Sequence, residues 1–401
     1  MTDERASERA LAVLAVGQGL NAMAGGFIYP FFADYLRGGR GGALAVGTVF
    51  ALATLLSAAG RIVGGELADR RGRRPVVLAA IGVRSMLLLA LGAAVHLQAA
   101  LVFIALPFLL SSVARGAFEP AADAMVADLV PPQRRPRAYA LMRIGRNAGW
   151  AVGPALGGFL GAPRFATLAA IASGLGLVSL LVTARLRETP HRAEAARFHP
   201  RDLRVAFADP PFRRHCLLTF ALFVLFAQLL VSVSIDLAPR LGLSSPEIGW
   251  TYTLNGVMVV ALQATVTRHA AGPPPRVLAL GALLYGISYL LIGGAPSLLV
   301  AWIGVALLTL GEMISLPLSA AVAADIAPAD RRGRYLGAFG VFVDVGHGLG
   351  QVSGGLGLAL AGAQAMRFWG VVAGFSVALA AGYARFGVRP RVDGHGQAAL
   401  Q

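Results

Sequence analysis

Apolar residues dominate long, nearly unbroken stretches of this chain, and short polar, arginine-bearing separators divide them. Crossing a hydrocarbon layer takes about 20 apolar residues in a helix. By that measure the pattern predicts helices over 10–36, 43–66, 75–96, 99–128, 137–161, 165–186, 214–238, 246–267, 276–294, 297–326, 334–361 and 366–387. One separator is long. Residues 187–212, beginning Arg187-Glu188-Thr189-Pro190, are polar, lie near the middle of the chain and read as a linker with a short surface helix near 201–207. The expected organisation is a six-helix half over 1–186, a cytoplasmic linker over 187–212 and a second six-helix half over 213–401. The first apolar run, from Leu11 past Tyr29, is longer than a signal-peptide core, so it is expected to stay as a helix.

Composition agrees with lipid contact. The 401 residues are 56% hydrophobic and 14% charged, against soluble norms of roughly 45–50% and about 25%; mean hydropathy is +0.67. The net charge is +15, and all 35 basic residues are arginine. Their clustering between apolar runs reads as topology control and not as a nucleic-acid surface. One set of connections, with both ends of the chain, carries 25 arginines; the opposite set carries only Arg37, Arg40, Arg164, Arg240 and Arg367. The rich set is expected to be cytoplasmic, which puts both termini on one side and requires an even number of spans. The single Cys216 excludes an internal disulfide. There is no phosphate-binding loop, zinc spacing or nucleophile–base set, so neither enzyme activity nor a cofactor is expected.

An internal repeat sets the architecture. Pro120–Arg137 matches Pro317–Arg334 at an offset of 197, pairing Asp128 with Asp325 and Arg134 with Arg331. The match continues through Gly149, Gly153, Gly157 and Gly158 onto Gly346, Gly350, Gly354 and Gly355. The string GELADRRGRR, Gly65–Arg74, resembles at every position the signature loop of major facilitator transporters. The chain is similar to that superfamily over essentially its whole length. The resemblance implies an all-α membrane protein of twelve transmembrane helices in two six-helix pseudo-repeat halves, a substrate site between the halves, and alternating access. It also implies a gating role for Gly65, Asp69, Arg70, Gly72, Arg73 and Asp128. In the physical reading of this loop, Gly65 allows close packing and the arginines reach helix-end carbonyls and acids.

Ionisable groups at membrane depth are costly, and each needs a partner or a task. Arg115, Glu119 and Asp123 share a face of the fourth helix, where Arg115 and Glu119 can pair. Arg115 also resembles the fourth-helix arginine of proton antiporters. Glu312, at the repeat position of Arg115, has no base within a turn in its own helix, which suits a proton carrier. The string GEMISLP around it resembles a bacterial multidrug-efflux subgroup, and RNAGWAVGPALGG resembles the glycine–proline motif of drug:proton antiporters. Gly145, Gly149, Gly153, Gly157 and Gly161 stack on one face there for close packing.

Proton-coupling candidates are therefore Glu312, Glu119, Asp123 and Asp344, the last of these three residues from His347. Substrate-binding candidates are Asn21, Arg84, Arg115, Arg143, Asn147 and Glu312. Gln18 is a smaller polar signal, and Asp34 and Asp236 lie near outer helix ends. The expected function is proton-coupled antiport, exporting hydrophobic or cationic small molecules from a bacterial inner membrane as a monomer. Alternatives are export or flipping of an anionic metabolite or lipid-linked sugar, read by Arg84, Arg115 and Arg143, and a non-transporting sensor on the same scaffold. Peptide uptake is disfavoured, because the first helix lacks the Glu-x-x-Glu-Arg cluster of that branch.

Overall fold

The computed structural model describes residues 2–39, 42–130, 135–186, 208–270, 272–328 and 332–386. Among them are thirteen α-helices: α1 Thr2–Gly39, α2 Gly42–Arg71, α3 Arg73–His96, α4 Leu101–Leu129, α5 Arg135–Gly158, α6 Phe165–Thr183, α7 Pro210–Phe226, α8 Gln228–Leu241, α9 Ser245–His269, α10 Pro274–Gly294, α11 Leu298–Ile326, α12 Arg332–Ala361 and α13 Ala365–Ala384. No strand occurs among the described residues. Residues 187–207, with the expected surface helix, lie outside the described residues, as do Arg134 and Arg331.

Eight helices are long and apolar enough to cross a membrane: α1 to α4, α6, α10, α11 and α13. The protein is a multi-pass membrane protein. Three of the less apolar helices, α5, α9 and α12, have a common reason for their polarity. In the structure α5 packs on α9 and α12 packs on α2, and these are the main contacts that join the N-terminal half to the C-terminal half. A helix facing a partner across an interface, and not lipid, can afford arginines, glycines and acids.

Where the sequence predicts one helix over 214–238, the structure has two, α7 and α8, separated at Ala227. Carbonyls around the break are taken by side chains. Gln228 Nε2 donates to the carbonyl of Val224 at 3.0 Å and to that of Gly350 at 2.8 Å. The hydroxyl of Tyr289 donates to Leu225 at 2.6 Å and that of Tyr252 to Leu229 at 3.2 Å. Two of those donors come from α9 and α10, outside 214–238, and within the stretch only Gln228 marks the break.

Close approach at glycine holds the helices together. Lipid tails are as apolar as leucine, so helix association depends on contact and not on hydrophobic gain. In the N-terminal half, Gly145 and Gly149 lie against the carbonyls of Ala15 and Gly19, and Gly153 and Gly157 against Met23 and Phe31. This is the glycine face of α5 predicted from sequence, pressed on α1. Its repeat copy, Gly346 and Gly350 of α12, lies against the carbonyls of Phe220 and Val224 in α7. Gly161 departs from the pattern: it lies beyond α5 with φ +64°, and a Cβ there would strike Ser245.

The gating loop needs one correction. Gly65 has open space where a Cβ would stand, and the tight neighbour is Gly64, against Ala117 of α4. One residue turns a helix face by about 100°, and the packing face runs through Gly60 and Gly64. Gly116 completes that seam, because a Cβ there would overlap the carbonyl of Ser57.

The seam predicts a contrast between two identical substitutions. Gly116→Ala should destabilise the protein by about 1–3 kcal/mol, the usual cost of overpacking, whereas Gly65→Ala should be neutral or mildly stabilising. Thermal unfolding in detergent, followed by tryptophan fluorescence, separates the two. Equal losses at both positions would remove glycine packing as the explanation.

Candidate functional site between the two halves

The halves meet closely at one end. Gly47 and Gly355 are in contact, Gly355 lies on the carbonyl of Ala43, and Gly348 faces Ala51 and Leu55. On the other seam Gly249 lies against Pro154 and Gly158, Gly256 lies against Ala151, and the Thr253 hydroxyl donates to the Ala151 carbonyl at 2.8 Å. All of these lie toward the end whose connections are poor in arginine. Toward the arginine-rich end two side-chain links cross between the halves: Arg61 to Asp344 and, between exposed groups, Arg143 to Gln263 Oε1 at 3.2 Å. Asp123 and Tyr139 are exposed there. The halves are thus held by backbone contact toward the arginine-poor end and by side chains toward the arginine-rich end.

Three polar groups lie among these helices. The first joins α2, α4 and α12. Arg61 Nη2 is 3.0 Å from Asp344 Oδ1, and its Nε is 4.0 Å from Glu119 Oε2. The expected Arg115–Glu119 pair is absent within 4.0 Å. Arg115 instead sits over the ring of Tyr29, 5.7 Å from its centroid, with its Nε unpartnered. Tyr29 lies edge-on to Phe50 and Phe108, at 5.6 and 5.5 Å between centroids, so a rigid aromatic floor holds Arg115 away from Glu119. His347 lies 5.6 Å from the ring of Phe226 and its Nε2 is unpartnered.

The second group is Arg84 and Asn21. Arg84 is buried on α3, and its Nη1 donates to the Asn21 carbonyl at 3.0 Å and to the Asn21 side-chain oxygen. No carboxylate pairs with Arg84 among the described residues.

The third group joins α9 and α11 of the C-terminal half. Glu312 on α11 accepts a hydrogen bond from Asn255 Nδ2 on α9 at 2.8 Å, and the same nitrogen donates to Thr309 at 2.9 Å. No basic group lies within ion-pair distance of Glu312 among the described residues. Asn147 is half-buried one turn from Arg143 on α5.

The loop between α2 and α3 forms a separate site at the arginine-rich end. Arg73 pairs with Asp128, and its Nη1 donates to the Ala124 carbonyl at 2.5 Å. Arg74 reaches the Ala184 carbonyl at 2.7 Å, and Arg70 pairs with Glu66 at 2.5 Å. Gly72, at φ 93°, is the single residue that turns the chain between the helices. Asp34 pairs with Arg37 at 2.6 Å. Asp236 is buried, takes Arg240 at 3.3 Å and Trp369 Nε1 at 2.9 Å, and ties α8 to α13.

This fold and loop have relatives. The family model described as Major Facilitator Superfamily matches residues 14–351 and 229–400. The chain belongs to the Major Facilitator Superfamily. It is 28% identical over 323 residues to the multidrug resistance protein MdtH of Aeromonas hydrophila, covering 77% of each chain. It is 26% identical over 364 residues to the MFS-type transporter YqjV of Bacillus subtilis, covering 87% of this chain and 86% of the relative. Among solved structures, a POT family transporter bound to a thioalcohol-conjugated peptide superposes with a TM-score of 0.77 at 14% identity, over 93% of this chain and 95% of that one. At that identity the likeness concerns the fold. As a member of the superfamily, this chain is a transporter of small molecules.

Two residues of these groups escaped sequence reasoning. Arg61 lies in the same helix as the signature loop and has no motif around it. Asn255 is a lone amide in an apolar run, found only once α9 is placed beside α11.

Arg84 and Arg115 should separate on stability. Arg84→Gln leaves buried acceptors on Asn21 without their charged donor and should cost about 1–3 kcal/mol. Arg115→Gln removes a guanidinium that has no carboxylate partner and should leave the unfolding midpoint nearly unchanged. Thermal unfolding of both variants in one detergent tests this; equal losses would mean that Arg115 is a packing residue.

Proposed function

We propose that the protein is a twelve-span proton-coupled antiporter that exports hydrophobic or cationic small molecules by alternating access. The observation that carries this is the Glu312 carboxyl, at the interface between the halves, held by a neutral amide and by no base. Such an acid takes a proton or a cationic cargo from the cavity and cannot hold both well. The resemblance to multidrug resistance proteins supports the cargo class. The twelve spans count α7 and α8 as one broken helix. The arginine split supports a bacterial inner-membrane protein with both termini and the 187–212 linker cytoplasmic, so the cavity opens to the cytoplasm. Glu119, Asp123 and Asp344 act as further proton carriers, and Asn21, Arg84, Arg115, Arg143 and Asn147 line the cargo path. Gly65, Asp69, Arg70, Gly72, Arg73 and Asp128 form the cytoplasmic gate. A monomer suffices, because the cavity is complete within one chain.

A second reading keeps the scaffold and changes the cargo to an anionic metabolite or lipid-linked sugar. Arg84 and Arg115, buried or half-buried without carboxylate partners, favour it.

In proteoliposomes with an imposed pH gradient, Glu312→Gln should abolish gradient-driven movement of a fluorescent lipophilic cation while downhill movement persists. If cation uptake in the variant matches the wild type, Glu312 is not the coupling acid. If the wild type moves an organic anion and no cation, the second reading replaces the first.

Orientation has its own test. Single cysteines placed in the 187–212 linker, on a Cys216→Ser background, should react with an impermeant maleimide only after the cells are opened. Labelling of intact cells would reverse the topology.

A further inference from the structure

Inside the C-terminal half, four polar atoms are fully enclosed and have no hydrogen-bond partner among the described residues. They are the hydroxyls of Tyr285 on α10 and Tyr383 on α13, and Thr219 Oγ1 and His215 Nδ1 on α7. Each is costly, because a buried polar atom without a hydrogen bond has lost water and gained nothing. They are also neighbours. Thr219 is one turn from His215. Tyr383 faces Thr219, and Tyr285 faces Tyr383 and Glu312. Helix packing fixes this order. A Cβ on Gly311, beside Glu312, would stand 3.6 Å from the Tyr285 ring, and one on Gly382, beside Tyr383, would stand 2.8 Å from Leu218, beside Thr219. The Ser376 hydroxyl donates to the Ala282 carbonyl and holds α13 on α10. Those two helices are antiparallel, and side chains lean toward the N-terminus of their own helix, so Tyr285 and Tyr383 lean toward each other. His215 Nε2 lies 2.7 Å from the Ser319 carbonyl. A carbonyl only accepts, so that nitrogen carries the hydrogen and Nδ1 presents a lone pair. The ring is stacked between Phe339 and Phe386, at 5.8 and 5.7 Å. Tyr289 is the contrast. It is stacked on Tyr285 at 6.3 Å and equally enclosed, but its hydroxyl donates to Leu225. Packing explains a ring at 285 and gives no reason for its hydroxyl.

We propose that Tyr285, Tyr383, Thr219 and His215 form a proton path from Glu312 through the interior of the C-terminal half, separate from the cargo path. This rests on the proton-coupled reading above. Glu312 is near the middle of α11, and His215 is in the second turn of α7, next to the exposed Arg214 of the arginine-rich end. Ordered water between the hydroxyls completes the file, because each unbonded atom offers a place for one of its hydrogen bonds. A proton leaving the Glu312 carboxyl binds the next water or hydroxyl as that group passes its own proton onward. Each hop makes one bond to hydrogen and breaks one. The last proton arrives on His215 Nδ1 and leaves from there to water at the arginine-rich end. Glu312 is left as a carboxylate, and the hydroxyls are chemically unchanged.

Tyr285→Phe, Tyr383→Phe and Thr219→Val keep the shape of each side chain and remove one link of the file. In proteoliposomes each should slow pH-gradient-driven movement of a fluorescent lipophilic cation by about a hundredfold. Gradient-free exchange of the same cation, and its KM, should stay as in the wild type. His215→Gln, whose amide keeps a donor for Ser319, should behave alike. Thermal unfolding in detergent adds a readout that a packing role would not give. Tyr285→Phe removes an unbonded hydroxyl and should leave the midpoint unchanged or raised, while Tyr289→Phe breaks a hydrogen bond and should lower it. If Tyr285→Phe loses stability and transport together, its hydroxyl is structural and the path is overturned. Full gradient-driven transport in Tyr285→Phe and Thr219→Val would also overturn it, and would leave the coupling reading standing on the wild type and Glu312→Gln. A wild type that moves no cation in response to a pH gradient would sink both.

Discussion

Contact between helix backbones is the constraint on which every other feature of this molecule depends. Inside lipid the helices gain little from hiding apolar surface, so they are held where glycine lets one main chain rest on another. The charged groups take their places from those seams. Gly60, Gly64 and Gly116 lock α2 to α4, and so Arg61 and Glu119 come side by side. Gly47 and Gly355 lock α2 to α12, and so Asp344 comes within reach of the same arginine. A guanidinium between two acids at membrane depth would be prohibitively costly on an isolated helix. Here it is the product of two glycine seams meeting at one point.

Much of this was legible in the sequence because the repeat is strong. The offset of 197 carries the glycine face of α5 onto α12, and both copies pack on the first helix of their own half. The signature loop placed Arg73 near Asp128, and the structure has that pair. What escaped depends on contacts between helices far apart in sequence. Arg61 becomes meaningful only when α12 lies across from it, and Glu312 acquires Asn255 from 57 residues away. The Arg115–Glu119 pair failed for a related reason. A spacing of four puts two side chains on one face, but a long arginine follows the better surface, and Tyr29 on another helix supplied it. Gly65 was misread because neighbouring glycines differ by a turn of the face, which a motif does not record.

Polarity is distributed along the chain according to what each helix faces. α5, α9 and α12 are not among the eight apolar membrane-length helices, and all three take part in the cross-half seams, α12 against the apolar α2. Arg61, Arg84, Arg115 and Arg143 all belong to the N-terminal half, with the acids Glu119 and Asp123, while Glu312 and Asp344 belong to the C-terminal half. The bases of these groups are thus confined to one half, while acids occur in both. That asymmetry has no counterpart in the repeat itself, where Arg115 falls on Glu312 and Asn147 on Asp344. The scaffold is duplicated and the chemistry on it is not.

Close contact between the halves also shapes the electric field. Contact between α2 and α12 runs from Ala43 to Leu55, roughly 18 Å of helix at 1.5 Å per residue, against a hydrocarbon thickness of about 30 Å. Where water reaches the ends of such a contact it carries the potential of its own side inward, and the membrane voltage falls across the shorter stretch that remains. A voltage of 100 mV is worth about 2.3 kcal/mol per charge moved through it. Asp344 lies one turn from Gly348, just outside this contact. A charge displaced within this short stretch meets a steeper field than one displaced through an unbroken bilayer.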